Sequence, residues 1–211
     1  MKIDIYENEL KKRWTYPYQW GQKQNNQLDK ASKFIYQIRT FDELIKRLKE
    51  EFDRVENFNE LFHYSINRWY NFRSARAVEH FFCSFENVDA NKDRYDKLID
   101  FTINGISFDH KTSVFPKGFK KDFNYCLNNK RELINWFYEN QSSEGRQHFS
   151  NRLFIVMYNL SGTNHWHLKA ELALLNKIIK SYVDNFNKDD LVKLKLKNGS
   201  EPLSDIIWVV K

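Results

Sequence analysis

The sequence predicts a mixed α/β domain, and three patterns indicate this class. Apolar residues recur at helical spacing over residues 40–85. Residues then alternate with a period of two on both sides of Asn104-Gly105, which is typical of a β-hairpin. Further along, an apolar run at 153–158 precedes an amphipathic segment at 167–186, a pattern that favours a buried strand followed by a helix.

The composition is that of a globular chain. Of the 211 residues, 41% are hydrophobic and 29% are charged, which excludes collagen-like, rod-like and low-complexity proteins. Aromatic residues make up 17% of the chain, whereas there are only 6 Gly and 3 Pro, so regular elements are expected to dominate. The formal net charge of +6 favours an anionic partner.

The sequence also bears on location. The N-terminal residues lack the apolar run of a signal peptide, and no window approaches the length of apolar chain that a membrane span needs. The two cysteines, Cys83 and Cys126, are far apart and have no metal-binding spacing. We therefore expect a cytoplasmic protein without a membrane partner.

The N-terminal part is predicted to be a helical extension over residues 1–71, packed on an α/β core over residues 72–211. Residues 1–30 show no clear period and are expected to form an irregular arm. The run Thr40-Phe-Asp-Glu43 is a capping-box pattern, which predicts that a helix begins there. The predicted helices of this region cover 40–53, 59–70 and 74–85.

The hairpin around Asn104-Gly105 is the most informative element. A two-residue turn at this dipeptide fixes the register of the strands, predicted at 98–103 and 106–114, and places Asp100 opposite Asp109. Two carboxylates in this position have Cβ atoms about 4.5–5.5 Å apart, which destabilises a sheet unless a positive charge lies between them. A divalent cation is the expected occupant.

Lys111 completes the candidate site. It lies two residues after Asp109, so its ammonium group is expected on the same face of the strand. Mg²⁺ prefers carboxylate oxygens, and an ammonium group can contact a phosphate oxygen or an attacking water. These residues predict metal-dependent hydrolysis of a phosphodiester; the alternative is a solvated polar face on which Lys111 neutralises Asp109 in a weak surface pair.

A basic insertion follows the hairpin over residues 115–151, with one predicted helix at 131–140. Its basic side chains, which extend to Arg152, alternate with aromatic rings, a combination that can neutralise phosphates and stack on bases. Short strands are expected at 191–196 and 206–210. The candidate nucleic-acid-binding residues are Lys117, Lys120, Lys121 and, before the hairpin, Arg76.

The stretch Asp100-Phe-Thr-Ile-Asn-Gly-Ile-Ser-Phe-Asp109-His110-Lys111 resembles the active-site hairpin of the PD-(D/E)xK nuclease superfamily, which has a restriction-endonuclease-like fold. Ile99 stands where many members have a proline. The resemblance implies a mixed sheet flanked by helices, with a core in the order helix, three strands, helix and strand. The predicted elements offer this order at 74–85, 98–103, 106–114, 153–158, 167–186 and 206–210.

The resemblance also implies the roles of individual residues. Asp100 and Asp109 would bind Mg²⁺ or Mn²⁺ together with the backbone carbonyl of His110, and Glu79 would join them directly or through water. Lys111 would activate the nucleophilic water.

The expected function is therefore that of a magnesium-dependent deoxyribonuclease, with RNA as the alternative substrate; a homodimer is compatible with the sequence. Two other interpretations stay open. One is a non-catalytic module that binds nucleic acid or protein on the same fold. The other is an interaction protein with no nucleic-acid role, in which the aromatic N-terminal arm binds another chain.

Overall fold

A computed structural model of the chain describes residues 1–20, 26–93, 96, 98–140 and 149–211. Residues 141–148 of the predicted basic insertion and 21–25 of the predicted arm thus lie outside the described residues. The chain divides into two compact units. The first consists of Met1–Ala77 with Ala170–Ala173, and the second of Val78–Lys169 with Leu174–Lys211.

The first unit is helical. Its beginning differs from the predicted irregular arm, because a regular helix forms there. Asp4 in its first turn and Lys11 in its last turn complement the helix dipole, and neither Gly nor Pro interrupts it. The helices are α1 (Ile3–Lys11), α2 (Asn26–Ala31), α3 (Phe41–Phe52) and the first part of α4 (Phe58–Phe82), with 3-10 turns at Lys12–Thr15 and Lys33–Tyr36.

The N-cap of α3 forms at Thr40, where the sequence predicts that a helix begins. The Thr40 side chain accepts a hydrogen bond from the backbone N–H of Glu43 at 3.4 Å, and Leu44 and Leu48 on the same helix are fully buried. The next prediction is wrong, because the two expected helices are one continuous helix of 25 residues, α4. The sequence of α4 contains no Gly or Pro, so nothing local breaks the backbone hydrogen bonds.

The second unit contains a six-stranded mixed sheet in the order β1-β2-β3-β4-β6-β5. Strands β1, β2 and β3 pair antiparallel, whereas β3, β4 and β6 run parallel to one another, and β5 is antiparallel to β6. The sequence did not predict β1, and β2 is shorter than expected. The strands are β1 (Val88–Ala90), β2 (Phe101–Ile103), β3 (Ile106–Val114), β4 (Arg152–Tyr158), β5 (Val192–Lys193) and β6 (Leu203–Val210).

Helices connect the parallel strands and flank the sheet. Two helices, α5 (Phe123–Asn128) and α6 (Lys130–Glu139), lie between β3 and β4 in the chain. A 3-10 turn (His165–Ala170) and α7 (Leu172–Asp184) lie between β4 and β6, so the helix predicted at 167–186 is shorter than expected. Among the described residues, none of the helices has the length and apolar character needed to cross a bilayer.

Both faces of the sheet are packed. On one face Leu133 and Ile134 of α6 join Phe154 and Val156 of β4 in a buried cluster. The other face carries aromatic contacts to the helices, including Phe82 of α4 stacked on Phe101 of β2 and Phe186 after α7 against Phe108 of β3. The unit is therefore a mixed α/β structure whose sheet is flanked by helices, and the strand predicted at 153–158 is buried as expected.

Candidate functional site

The turn that joins β2 and β3 has the geometry that the sequence predicts. Asn104 and Gly105 have φ values of 49° and 79°, the left-handed conformations that a two-residue hairpin turn requires. Phe101 pairs with Phe108, as counting outward from the turn predicts. The backbone N–H of Asp100 also donates to the carbonyl of Phe108 at 2.8 Å. The pairing thus reaches Asp100, just before β2 begins.

The carboxylate of Asp100 binds His110. Its Oδ2 atom is 2.8 Å from the backbone nitrogen of His110 and 2.6 Å from the ring atom Nδ1. Burial acts to raise the pKa of Asp100, but the hydrogen bonds and the charge of His110 outweigh it and leave the pKa lowered. Burial acts to lower the pKa of His110, but the hydrogen bond to Asp100 and the charges of the nearby carboxylates together outweigh burial and leave the pKa raised.

The His110 ring lies on the apolar side of β3, as the alternation of side chains requires. It stacks on Phe101 with the ring centroids 5.9 Å apart, and its side chain is only 6% exposed. The Nε2 atom is buried and has no hydrogen-bond partner among the described residues. The role predicted for the backbone carbonyl of His110 stays a prediction.

Asp109 forms an ion pair with Arg152, the first residue of β4. Arg152 lies directly across from Asp109 in the parallel pairing of β3 and β4, and its Nε donates to Asp109 Oδ2 at 2.5 Å. The pKa of Asp109 is nevertheless raised, first by burial and then by the nearby charge of Asp100, and Arg152 offsets these effects only in part.

The two carboxyl groups are close enough for their charges to interact, since the charge of Asp100 contributes to the raised pKa of Asp109. The side chain of Asp109 in turn contributes to the lowered pKa of Asp100.

The donor set fits a hard cation that keeps several waters. The part of the chain that the structure describes contains no group of three or more His, Cys, Asp or Glu residues arranged to hold a metal ion. Mg²⁺ is commonly held by one or two carboxylates, with water and substrate phosphate filling the other positions. Asp100 and Asp109, whose Oδ2 atoms bond to His110 and Arg152, are the residues that could hold such an ion.

Lys111 lies on β3 beside these carboxylates. Its side chain is accessible to solvent, yet the surrounding protein removes enough of its hydration to lower the pKa of the ammonium group. Repulsion by Arg152 lowers this pKa further, and attraction by Asp109 opposes the change. Lys111 is thus exposed as a residue, while the charge of its side chain is partly desolvated by the surrounding protein.

Glu79 is the predicted fourth member of the site. It lies in the last turn of α4, is partly buried, and its charge contributes to the raised pKa of His110. The structure does not group Glu79 with the two aspartates in a metal-binding cluster of the described residues.

The predicted nucleic-acid-binding lysines lie elsewhere. Lys117, Lys120 and Lys121 are exposed and lie between the end of β3 and the start of α5. Asp109 is near the start of β3, so at about 3.3 Å per residue these lysines begin roughly 20 Å or more away from it. Arg76 is exposed on α4, within the first compact unit.

Two cations of the site were not identified as site residues from the sequence. Arg152 counted only as one basic residue of the insertion, because the parallel pairing that brings it to Asp109 joins residues 43 positions apart. Lys169, in the 3-10 turn before α7, is only 7% exposed, and the charge of Lys111 acts on it. The sequence around it, His165-Trp-His-Leu-Lys169-Ala-Glu171, contains no pattern that indicates this position.

The comparisons with known proteins do not extend this picture. No protein-family model matches the chain, and neither a curated protein nor a solved structure matches it.

Proposed function

We propose that the protein is a divalent-metal-dependent nuclease that hydrolyses phosphodiester bonds in DNA. One observation carries the proposal: Asp100 Oδ2 accepts a hydrogen bond from the backbone nitrogen of His110, the residue after Asp109, and Lys111 follows on the same strand. Paired carboxylates beside a partly dehydrated ammonium group suit the hydrolysis of an anionic ester.

The order of elements supports the proposal. The PD-(D/E)xK resemblance implies a helix, three strands, a helix and a strand, and α4, β1, β2, β3, α6 and β4 occur in this order. In this assignment Asp100 stands at the start of the second strand and Asp109 and Lys111 within the third. The assignment made from the sequence counted the strand at 153–158 as the third of the three strands. In the structure the three strands are β1, β2 and β3, and β4 (Arg152–Tyr158) is the final strand of the order.

The residues would divide the chemistry as follows. Asp100 and Asp109 would hold Mg²⁺ or Mn²⁺, with the carbonyl of His110 and, directly or through water, Glu79 as further ligands that the resemblance implies. The ion, when bound, supplies stabilisation of negative charge on the phosphate. Lys111 orients the attacking water and stabilises the charge that develops on the phosphoryl oxygens. The water oxygen bonds to phosphorus, the bond to the 3′-oxygen breaks, and the products are a 5′-phosphate and a 3′-hydroxyl.

The test is cleavage by the purified full chain with Mg²⁺ or Mn²⁺ on single-stranded, duplex and branched DNA. We expect cutting by the wild-type protein and loss of cutting in Asp109→Ala and Lys111→Ala. Lys46→Ala on α3 and Asp184→Ala on α7 are matched controls, because both side chains are well exposed and belong to simple helix surface pairs. Absence of metal-dependent cutting on all three substrates would refute the proposal.

A non-catalytic binding module is the second candidate, and the ion pair between Arg152 and Asp109 favours it. A carboxylate already neutralised by a buried guanidinium has less need of a metal ion. Calorimetric titration with Mn²⁺ distinguishes the two functions. A nuclease should release heat on metal binding that disappears in Asp100→Asn, whereas a binding module should show no heat that depends on this residue.

A further inference from the structure

A cavity lies beside α6 in the second compact unit. Its volume is about 740 Å³, and small-molecule sites usually have volumes of about 300–1,000 Å³. The described residues that line it come from α6, from the segment between β3 and α5, from the connection between β5 and β6, and from Phe149 just before β4. All of them belong to the second compact unit, so the cavity is a feature of that unit alone.

Four of these lining residues are aromatic. Trp136 and Phe119 meet edge to face, with ring centroids 6.2 Å apart and an angle of 74° between the ring planes. Trp136 also packs closely on Gly118, where a Cβ would lie 3.1 Å from the Cζ2 atom of the indole. The other two rings are those of Tyr138 and Phe149. Trp136, Phe119 and Phe149 are only partly buried, and a flat ring system such as a nucleobase stacks on aromatic rings of this kind.

The polar side chains of the lining suit the other parts of a nucleotide. The amides of Asn135 and Asn198 provide hydrogen-bond donors and acceptors, the groups that the edge of a base requires. Lys195 and Lys197 are exposed, so their ammonium groups can neutralise a phosphate that lies outside the cavity.

The charges of the lining balance, which favours an uncharged group inside the cavity. The two lysines are matched by Glu132 and Glu139. Glu132 accepts a hydrogen bond from the hydroxyl of Tyr125 at 2.7 Å, and a carboxylate oxygen of Glu139 lies 3.9 Å from Nζ of Lys197. The base is the uncharged part of a nucleotide, so a base inside the cavity and a phosphate outside it fit this distribution of charge.

The cavity lies on the same face of the sheet as Lys111. Lys111 pairs with Phe154 in the parallel register of β3 and β4, and paired residues of neighbouring strands point to the same face. The Phe154 ring contacts the ring of Tyr138, with centroids 5.7 Å apart, and Tyr138 lines the cavity. A single aromatic contact therefore joins the cavity lining to the residue that pairs with Lys111.

The backbone also connects the cavity to the hairpin. Phe149 stands two residues before Asn151, whose carbonyl accepts a hydrogen bond from the backbone N–H of Asp109 at 3.0 Å. Two residues of extended chain span about 7 Å, so the backbone of Phe149 lies within roughly 15 Å of that of Asp109. The hydroxyl of Tyr138 donates to the carbonyl of Ser150 at 2.8 Å and holds this segment against α6. A DNA strand covers such a distance in a few nucleotides.

We propose that this cavity binds an unpaired base of a DNA strand that contacts the hairpin site. The preferred substrate is therefore single-stranded DNA or DNA with unpaired nucleotides, because a paired base enters a cavity only at the energetic cost of leaving its stack. This inference rests on the proposed function in that it takes DNA as the ligand, and it names the substrate class. It does not require the protein to cut its ligand, so the two can be tested separately.

The experiment measures binding of a fluorescently labelled single strand to the full chain in EDTA, by anisotropy. For Trp136→Leu we expect an affinity about tenfold weaker, whereas Trp136→Phe keeps a ring and should stay within about threefold of the wild-type protein. Phe58→Leu is the matched control, because Phe58 is a partly buried ring at the start of α4. It should bind like the wild-type protein.

A second variant covers the case in which Trp136→Leu does not fold. Phe149 lies outside the helices and strands, so Phe149→Leu disturbs no regular element. It should weaken binding of the single strand by about fivefold to tenfold.

An abasic strand of the same length separates base binding from a structural role. This strand keeps its phosphates and lacks the bases, so the wild-type protein should bind it about tenfold more weakly than the normal strand. Trp136→Leu should bind the two strands alike. A merely structural tryptophan would weaken the binding of both strands by the same factor.

The inference is overturned if folded Trp136→Leu or Phe149→Leu binds the normal strand as tightly as the wild-type protein, or if the variant weakens both strands equally. It is also overturned if the wild-type protein does not bind the single strand in EDTA. Metal-dependent cutting by the wild-type protein without these losses of binding would refute this inference and leave the nuclease proposal standing. The expected losses of binding without cutting of any substrate would refute the nuclease proposal and leave this inference standing.

Discussion

Arg152 on β4 and Asp109 on β3 form an ion pair that joins the two central parallel strands. Their side chains are 8% and 14% exposed, and the Nε–Oδ2 distance is 2.5 Å. The pair occupies one oxygen of a proposed metal ligand and fixes the direction of its carboxyl group. It is therefore both a part of the fold and a part of the site.

Removal of Arg152 should destabilise the protein strongly. In Arg152→Gln the Asp109 carboxylate stays buried next to Asp100 without its compensating charge, which should reduce the free energy of unfolding by about 3 kcal/mol. Urea denaturation measures the loss. Arg47→Gln on α3, whose ion pair with Glu51 is exposed, serves as the control and should change stability by less than about 0.5 kcal/mol.

A double variant tests the cause of that loss. In Arg152→Gln with Asp109→Asn neither buried charge is present, so the double variant should be more stable than the sum of the two single changes predicts. Additive losses would show that Arg152 contributes through packing and not through its bond to Asp109.

The pair of Asp100 and His110 should make stability depend on pH. Folding raises the pKa of His110 above the value of about 6.5 that a histidine has in the unfolded chain. The contribution of His110 to the free energy of unfolding is therefore complete below about pH 6.5 and is lost as the pH rises through the pKa of the folded state. Folding lowers the pKa of Asp100 below the value of about 3.9 that an aspartate has in the unfolded chain. The contribution of Asp100 to the free energy of unfolding is therefore complete above about pH 3.9 and is lost as the pH falls through the pKa of the folded state. The pair therefore stabilises most between about pH 4 and pH 6.5.

Asp100→Asn measures this contribution. The difference in unfolding free energy between the wild-type protein and the variant should be about 2 kcal/mol near pH 5.5 and should narrow as the pH rises through the raised pKa of His110. Urea denaturation at several pH values provides the curve. A difference that stays constant with pH would mean that the ionisation of His110 does not contribute to folding.

The positions in the hairpin were predictable because the signal is local. Asn104-Gly105 imposes its turn on neighbouring residues, so the pairing of Phe101 with Phe108 follows by counting. The contact of Asp100 with His110 was not predictable in this way, because Asp100 stands just before β2, where strict alternation of side chains no longer applies.

Long-range features were the ones that sequence reasoning missed. The partner of Asp109 depends on which strand lies beside β3 and in what register, and no local pattern near Arg152 encodes that. The prediction that α4 is broken into two helices was wrong for a related reason. Asn71 and its neighbours are only weakly unfavourable in a helix, and the packing of Trp69, Tyr70 and Val78 in the core decides the outcome.

The turn itself should tolerate little change in conformation. In Gly105→Ala the added Cβ would meet no atom within 4 Å, but the φ of 79° is strained for any L side chain, so we expect a loss of about 1 kcal/mol in unfolding free energy. Asn104→Gly keeps the left-handed turn and should change stability much less. Urea denaturation measures the free energy of unfolding of both variants. If both lose much stability, backbone conformation is not the only contribution of this turn to stability.

The exposed lysines after β3 provide the last prediction, which separates DNA binding from chemistry. Because Lys117, Lys120 and Lys121 begin roughly 20 Å from Asp109, their replacement by Gln should weaken DNA binding and reduce the salt slope by about three units. The rate of cutting at saturating DNA should stay near that of the wild-type protein.

The matched control is the triple change of Lys46, Arg47 and Lys49 to Gln, which removes the same charge from an exposed face of α3. If both triple variants weaken binding equally, the effect comes from net charge, and the segment after β3 has no special role. If only the first variant weakens binding, DNA runs from the site along β3 toward its C-terminal end. A fall in the saturated rate with unchanged binding would instead mean that these lysines act on the reacting phosphate, contrary to their distance from Asp109.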